Sequence, residues 1–285
     1  MRVFLTGATG YIGGAVAGAL RDAGHDVGAL VRADADSKRL RDLGVVLITG
    51  ELESLPSLRD QLASYDAFVH TAQSRQNTVE ADRAAVDTFT SLGGFFVYTS
   101  GVWVLGNTNG ADEASDVNPL SLVAWRPSHE ELALGAGGAV LRPGCVYGGK
   151  QSLLAEWFAA ASQNRPLQIV GDGSNHWAMV DVHELADLYV RAVTQRATGV
   201  LHGIDDTRAT LDECARAVAP KGTIEHVPLD AARQNLGPFA DALSVDQTID
   251  SGETRAKTRW EPQRTFTTSV EAQWQEWRRS RSAVE

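Results

Sequence analysis

An apolar run, Val3-Phe4-Leu5, leads directly into Thr6-Gly7-Ala8-Thr9-Gly10-Tyr11-Ile12-Gly13, and a small-residue helical stretch follows over 15–20. Strand, glycine turn and helix in that order constrain the chain to a β–α unit whose turn can hold a phosphate. Gly7 allows the tight turn, Gly10 lets backbone approach a pyrophosphate, and Gly13 lets helix pack closely on strand. The helix start offers unpaired N–H groups and the positive end of its dipole to an anion. A glycine-rich turn without a ligand is the plainer reading, but the full context favours nucleotide binding.

The alternation continues through the first half. Strands are expected over 26–31, 45–48, 67–70 and 95–99, and helices over 37–43, 54–63 (Ser54 as cap, Pro56 in the first turn) and 79–92. Strands separated by helices predict βαβ units and a parallel sheet covered on both faces. Such sheets bind ligands outside the carboxyl ends of their strands, here Thr6-Gly7, Arg32, Thr49-Gly50-Glu51, His70-Thr71-Ala72 and Thr99-Ser100-Gly101. The second half is less regular, with a sixth strand over 139–141, helices over 153–161 and 182–193, a strand over 200–202 and a Trp- and Arg-rich helix near 269–279. The expected class is α/β, a Rossmann-type doubly wound parallel sheet with a smaller, interleaved C-terminal substrate lobe. Residues 1–150 and about 180–203 make the nucleotide-binding domain, and about 151–179 and 204–285 the lobe.

With 285 residues the chain can bury a substantial core. A net charge of −10 argues against nucleic acid, because an acidic chain has no general field for phosphate backbones. Cys145 and Cys214 are too few for a disulfide framework. No apolar run is long enough to span a bilayer, and a first strand at Arg2 leaves no room for a leader, so a soluble cytoplasmic protein is expected, without membrane partners. His183-Glu184 lacks a second His four residues on, no metal-ligand cluster is seen, and no G-x-S-x-G elbow is present.

TGATGYIG, DAFVHTA after the fourth strand, VYTSG after the fifth, LRPGCVYG after the sixth and WAMVDVHELAD form an ordered set over residues 1 to about 193. The set resembles the extended short-chain dehydrogenase/reductase superfamily, the NAD-dependent epimerase/dehydratase group. The resemblance implies dinucleotide contacts at Gly7, Thr9, Gly10, Tyr11, Ile12, Gly13, Arg32, Glu51, Leu52, Thr71, Ala72, Thr99, His129, Pro143 and Val146. Members using NAD usually carry an acidic residue at the end of the second strand; here Val31 and Arg32 stand there. Arg32 suits a 2′-phosphate, so NADP is expected over NAD, although Asp34 and Asp36 partly oppose a phosphate. Glu51 falls near the expected adenine amine. A homodimer through two surface helices is a family expectation.

The redox members of that family use Ser or Thr, Tyr and Lys, with Tyr and Lys four apart on one helix face. The same register puts Gly101, preceded by Ser100, at the hydroxyl position, Trp125 at the Tyr position and His129 at the Lys position. Trp donates an indole N–H but exchanges no proton near neutrality. His129 could titrate, contact ribose or act as acid/base, though a buried hydrogen-bonded histidine is the commoner outcome. Pro127 disfavours helix at Arg126 and threatens the alignment of Trp125 with His129. Catalytic candidates are His129, Ser100 and Tyr147; substrate contacts are expected at Gly101, Trp103, Glu113, Trp125, Tyr147 and His176. Lys150, Arg165 and Arg208 are the few basic groups able to hold a diphosphate. The expected function is hydride transfer between NADP(H) and a small organic substrate. The alternatives are a non-catalytic nucleotide sensor with WRRSRS as partner surface, and a non-redox isomerase, lyase or epimerase.

Overall fold

The protein is described by a computed structural model covering residues 1–74, 76–149 and 152–282. Its first half runs β1 (Arg2–Thr6), α1 (Tyr11–Asp22), β2 (Asp26–Val31), α2 (Lys38–Asp42), β3 (Val46–Thr49), a 3₁₀ stretch (Leu52–Leu58), α3 (Arg59–Leu62), β4 (Ala67–His70), α4 (Thr78–Ser91) and β5 (Phe95–Thr99). Next come β6 (Thr108–Ala111), α5 (Arg126–Gly135), β7 (Ala139–Pro143), β8 (Cys145–Tyr147), α6 (Ala155–Ser162), β9 (Leu167–Val170), β10 (Met179–Asp181), α7 (Val182–Gln195) and β11 (Gly199–Gly203). The chain closes with α8 (Leu211–Val218), β12 (Ile224–Val227), α9 (Leu229–Leu236), α10 (Phe239–Leu243), β13 (Gln247–Ile249), α11 (Gly252–Thr258) and α12 (Phe266–Ser282).

Seven strands form one parallel sheet in the order β11-β7-β5-β4-β1-β2-β3. The order reverses between β1 and β4, so a crevice opens where their carboxyl ends diverge. Strand residues alternate between two apolar layers. Val3, Leu5, Val69, Val97 and Leu141 face α1 and α7, where they meet Val16, Leu20, Leu185 and Leu188. Phe4, Phe68, Phe96 and Val140 face the other side with Ala85 and Phe89 of α4. Burial on both faces accounts for the near-continuous apolar runs of these strands.

Local chemistry shifts several boundaries. The helix expected from Ser54 starts at Leu52 as a 3₁₀ stretch, and Ser54 Oγ instead accepts the Glu51 N–H at 3.1 Å. Pro56 has no N–H for the Leu52 carbonyl, which removes an α-helical bond from the first turn. By contrast, α5 begins at Arg126 with Pro127 in its first turn, where a missing N–H costs nothing, and continues to Gly135. At α7, the Asp181 carboxylate caps the helix by accepting from the N–H groups of His183 and Glu184.

Three further short parallel pairs complete the molecule: β6 with β13 ties the lobe to the first half, β8 with β10 lies at the junction, and β9 with β12 lies within the lobe. The strand expected over 200–202 belongs to the main sheet as its edge, β11. Trp274 of α12 packs edge-on against Phe158 and Trp277, and its indole N–H donates to the Val218 carbonyl. These two Trp residues of the Trp- and Arg-rich segment therefore serve the lobe's own core. Among the described residues no helix is long and apolar enough to cross a membrane.

Candidate functional site

Two cavities lie along the carboxyl edge of the sheet and share Gln73 as a common wall. The smaller, about 340 Å³, is lined by Gly7, Thr9, Gly10, Arg32, Glu51, Leu52, Thr71 and Ala72, all residues the sequence singled out, together with Leu30, Gly50, Glu53, Gln73 and Ser74. The glycines divide their labour as their positions require. Gly7 has φ +80°, and a Cβ there would come within 2.6 Å of Thr71 Oγ1. A Cβ on Gly13 would lie 2.2 Å from the Gly7 carbonyl oxygen. Gly10 caps α1 in an extended conformation, and a Cβ there would meet only the Gly7 carbonyl, at 3.1 Å. No side chain caps α1 and no acidic residue occupies its first turn. The first N–H groups of the helix are thus left for an anion. Arg32 is half-exposed, 3.3 Å from Asp34.

The larger cavity, about 600 Å³, is lined by Tyr11, Ile12, Ser100, Gly101, Trp103, Trp125, Pro143 and Val146, again as expected. The sequence did not point to Arg126, Leu122, Val123 or Phe239, which complete the walls. Arg126 was legible only as the neighbour of Trp125. Phe239 arrives from the second lobe to stand edge-on to Trp103 at 6.1 Å, and nothing local signals it. Ser100 is 8% exposed, and among the described residues its Oγ has no hydrogen-bond partner. A buried hydroxyl without a partner is costly unless something else engages it. Burial pushes the Cys145 thiol up to about 12 and lifts the Tyr11 phenol far above its ordinary range. Tyr11 donates to the Gly148 carbonyl.

Five expected contacts are placed elsewhere. His129 does not line the cavity: it is 3% exposed, and its Nδ1 lies 2.7 Å from Asp82 Oδ2. Tyr147 is fully buried and donates to Asp205 Oδ2 at 2.7 Å. Glu113 is buried as an acceptor for the Thr254 N–H and hydroxyl, holding the start of α11 rather than facing a substrate. His176 sits beside Asp246 at 3.0 Å, away from both cavities. The Thr99 hydroxyl is engaged with Tyr189 at 2.6 Å. Of the basic groups, Arg165 and Arg208 line neither cavity, and Lys150 lies outside the described residues.

Behind the cavities Asp82 of α4 organises a buried polar cluster. It lies 3.1 Å from His70 Nε2 and 2.7 Å from His129 Nδ1, and it accepts from the Tyr98 hydroxyl at 2.9 Å. His70 Nδ1 in turn lies 2.6 Å from the Thr6 hydroxyl, at the edge of the glycine turn. Burial alone would raise Asp82, but hydrogen bonds from His129 and His70, with the charges of His70 and Arg126, hold it well below the usual carboxylate range. On the cavity side, Arg126 donates to the Thr99 carbonyl at 2.8 Å and to the Tyr98 hydroxyl at 3.4 Å. The cluster therefore ties the cradle, two helices and the cavity wall into one rigid unit.

A family model described as the NmrA-like family matches residues 1–100. The chain is similar to an uncharacterized protein of Saccharomyces cerevisiae, 28% identical over 284 residues, covering 92% of this chain and 95% of that protein. It is also similar to a 3-diazoavenalumate denitrifying reductase of a Streptomyces species, 30% identical over 92% of this chain and 96% of the reductase. Among solved structures, dTDP-glucose 4,6-dehydratase from Bacillus anthracis in complex with NAD matches with a TM-score of 0.83 over 99% of this chain and 98% of that one. At 17% identity that likeness is one of fold.

Proposed function

Since this chain belongs to the short-chain dehydrogenase/reductase superfamily, on its extended, NmrA-like side, we propose that it is an oxidoreductase that uses NADP(H) on a small organic carbonyl compound. The observation that carries the proposal is the partnerless Ser100 hydroxyl, buried in a largely apolar cavity that adjoins the glycine cradle. The residues fit a nicotinamide dinucleotide. Gly10 leaves open a space that a side chain would fill, and the first turn of α1 offers free donors to a pyrophosphate. Arg32 and Glu51 line the same cavity, where they would face the ribose and adenine, and the guanidinium supports NADP over NAD. The similarity to a reductase supports redox chemistry.

When bound, the cofactor supplies the hydride. The chain's own contribution is positional and electrostatic. Ser100 is free to donate to an oxygen that gains negative charge, and the apolar walls strengthen that bond by excluding water. Trp125 supplies no proton at the place where the family keeps its acid. His129 is turned towards Asp82, and Cys145 and Tyr11 hold their protons too tightly to give them up near neutrality. The proton for the reduced oxygen would then come from solvent at the mouth of the cleft.

The test is a tryptophan-fluorescence titration with NADPH and NADH side by side, followed by turnover against a panel of ketones, aldehydes and enones. Tight NADPH binding with consumption of both partners is expected. Trp125 at the acid position favours a second reading, a nucleotide sensor; binding without oxidation across the panel would support it. Absence of binding to either nucleotide would remove both.

A further inference from the structure

Among the described residues that line the larger cavity, Arg126 is the only charged one. Both of its hydrogen bonds leave from one terminal nitrogen, Nη1, towards Thr99 and Tyr98. Its guanidinium carbon lies 4.6 Å from the centre of the Trp125 ring, which holds the plane of the fork against the cavity wall. Among the described residues no carboxylate comes within ion-pair distance of it. Asp82 lies behind Tyr98 and is committed to His70, His129 and the Tyr98 hydroxyl. The start of α5, with no acidic residue in its first turn, adds positive potential at the same corner.

Charge makes this placement informative. The chain carries −10, so its general field repels anions, and an anion reaches the cleft only where a local cation holds it. A guanidinium beside apolar walls attracts a carboxylate more strongly than one in bulk water. Its planar donors match a carboxylate in two parallel bonds. Trp103, Trp125, Leu122 and Phe239 are among the other walls and suit a flat apolar body.

We propose that Arg126 is the anion-recognition residue of the cleft and that the substrate is a planar organic acid, its carboxylate held by the guanidinium and its apolar body by the Trp-lined wall. The word substrate rests on the oxidoreductase assignment; the binding site does not.

Cinnamate and its uncharged amide, cinnamamide, serve as probes, titrated by calorimetry against the protein alone and against the protein with NADP⁺. Cinnamate is expected to bind tighter than cinnamamide by roughly tenfold or more, the value of a hydrogen bond to a charged group, and to weaken as salt is raised. Arg126→Gln should erase that difference, with cinnamamide and NADPH binding unchanged, and Arg126→Lys should restore part of it. The comparison of the two probes on the unaltered protein stands whether or not a variant folds. Equal binding of the probes, or no binding of cinnamate, overturns the proposal. Loss of NADPH binding in a folded Arg126→Gln protein also overturns it, because the residue then serves the cofactor. An acid preference that depends on Arg126 without NADPH oxidation leaves the inference standing and removes the oxidoreductase assignment. Oxidation of NADPH by neutral ketones alone, unaffected by Arg126→Gln, does the reverse.

Discussion

The indole of Trp125 stands edge-on to the imidazole of His129, with ring centroids 5.1 Å apart and planes at 66°. The two residues share one side of the start of α5, as Tyr and Lys do in the redox members that the sequence resembles. Their environments then part. Trp125 lines the cavity, whereas His129 turns inward to Asp82. The spacing of the usual acid and its helper is kept, but its chemistry is replaced by an apolar wall on one side and a structural anchor on the other.

Ser100→Ala should separate chemistry from stability. The hydroxyl has no partner among the described residues, so its removal should leave the melting temperature unchanged or raise stability by about 1 kcal/mol. Turnover of any carbonyl compound that the protein reduces should fall about 100-fold, the usual cost of one donor to a developing oxyanion. Unchanged kcat in a folded variant would remove Ser100 from the site.

Gly10→Ala and Gly13→Ala should fail in different ways. A methyl at Gly13 lies 2.2 Å from the Gly7 oxygen and 2.5 Å from Thr71 Oγ1, so overpacking should destabilise the fold by about 1–3 kcal/mol. A methyl at Gly10 meets only the Gly7 oxygen, at 3.1 Å. That variant should melt close to the unaltered protein and lose nucleotide affinity. Melting curves with and without NADPH distinguish the two; tight nucleotide binding by Gly10→Ala would contradict the cradle.

Arg32→Asp should weaken NADPH by roughly tenfold or more and leave NADH little changed, since a charged donor to the 2′-phosphate is exchanged for a repelling carboxylate. Parallel titrations decide it. Equal weakening of both nucleotides would assign Arg32 no part in discrimination.

Asp82→Asn should destabilise the protein by about 3 kcal/mol near neutrality, because the charge is lost and one of the two acceptor oxygens shared by two imidazoles and the Tyr98 hydroxyl becomes an NH2 donor. The folded carboxyl titrates below its ordinary value of 3.8. Its contribution is therefore present above that value and is lost as pH falls beneath it. Urea midpoints of the two proteins should converge below pH 3.8 and stay apart above it.

Tyr147→Phe should show a pH dependence of the same direction, centred at a higher pH. Burial pushes Asp205 up to about 6 despite bonds from Thr207 and Tyr147. A raised carboxyl favours the fold most below its ordinary value, and that support is lost as pH rises through about 6. Losing the Tyr147 donor should cost about 1–2 kcal/mol above pH 6, where the carboxylate is charged, and less below it. Turnover should be nearly unchanged. A drop of more than about tenfold would restore Tyr147 to the catalytic role suggested by its sequence position.

The sheet was readable because β1, β2, β4 and β5 are buried on both faces and therefore read as nearly continuous apolar runs. By contrast, β6 and β13 read TNGA and QTI, too short and too mixed to carry a period, and they pair only because the lobe folds back. The glycine cradle was readable because backbone geometry alone demands glycine there. A buried, hydrogen-bonded His129 was the commoner expectation, but its partner was not legible, because Asp82 lies 47 residues earlier, on another helix. Arg126 was hidden for the same reason. Its position was visible beside Trp125, but that no carboxylate among the described residues forms an ion pair with it is a property of the packed cleft.

The pairing of α1 with α7 sets an order of synthesis. The apolar side of α1, with Val16, Ala17 and Leu20, is finished by residue 22, while the helix that covers it begins at residue 182. At about 5–20 residues per second a ribosome takes roughly ten to thirty seconds to bridge that gap. The apolar side of α1 thus emerges well before the helix that covers it, and for that interval it is open to contacts with other chains.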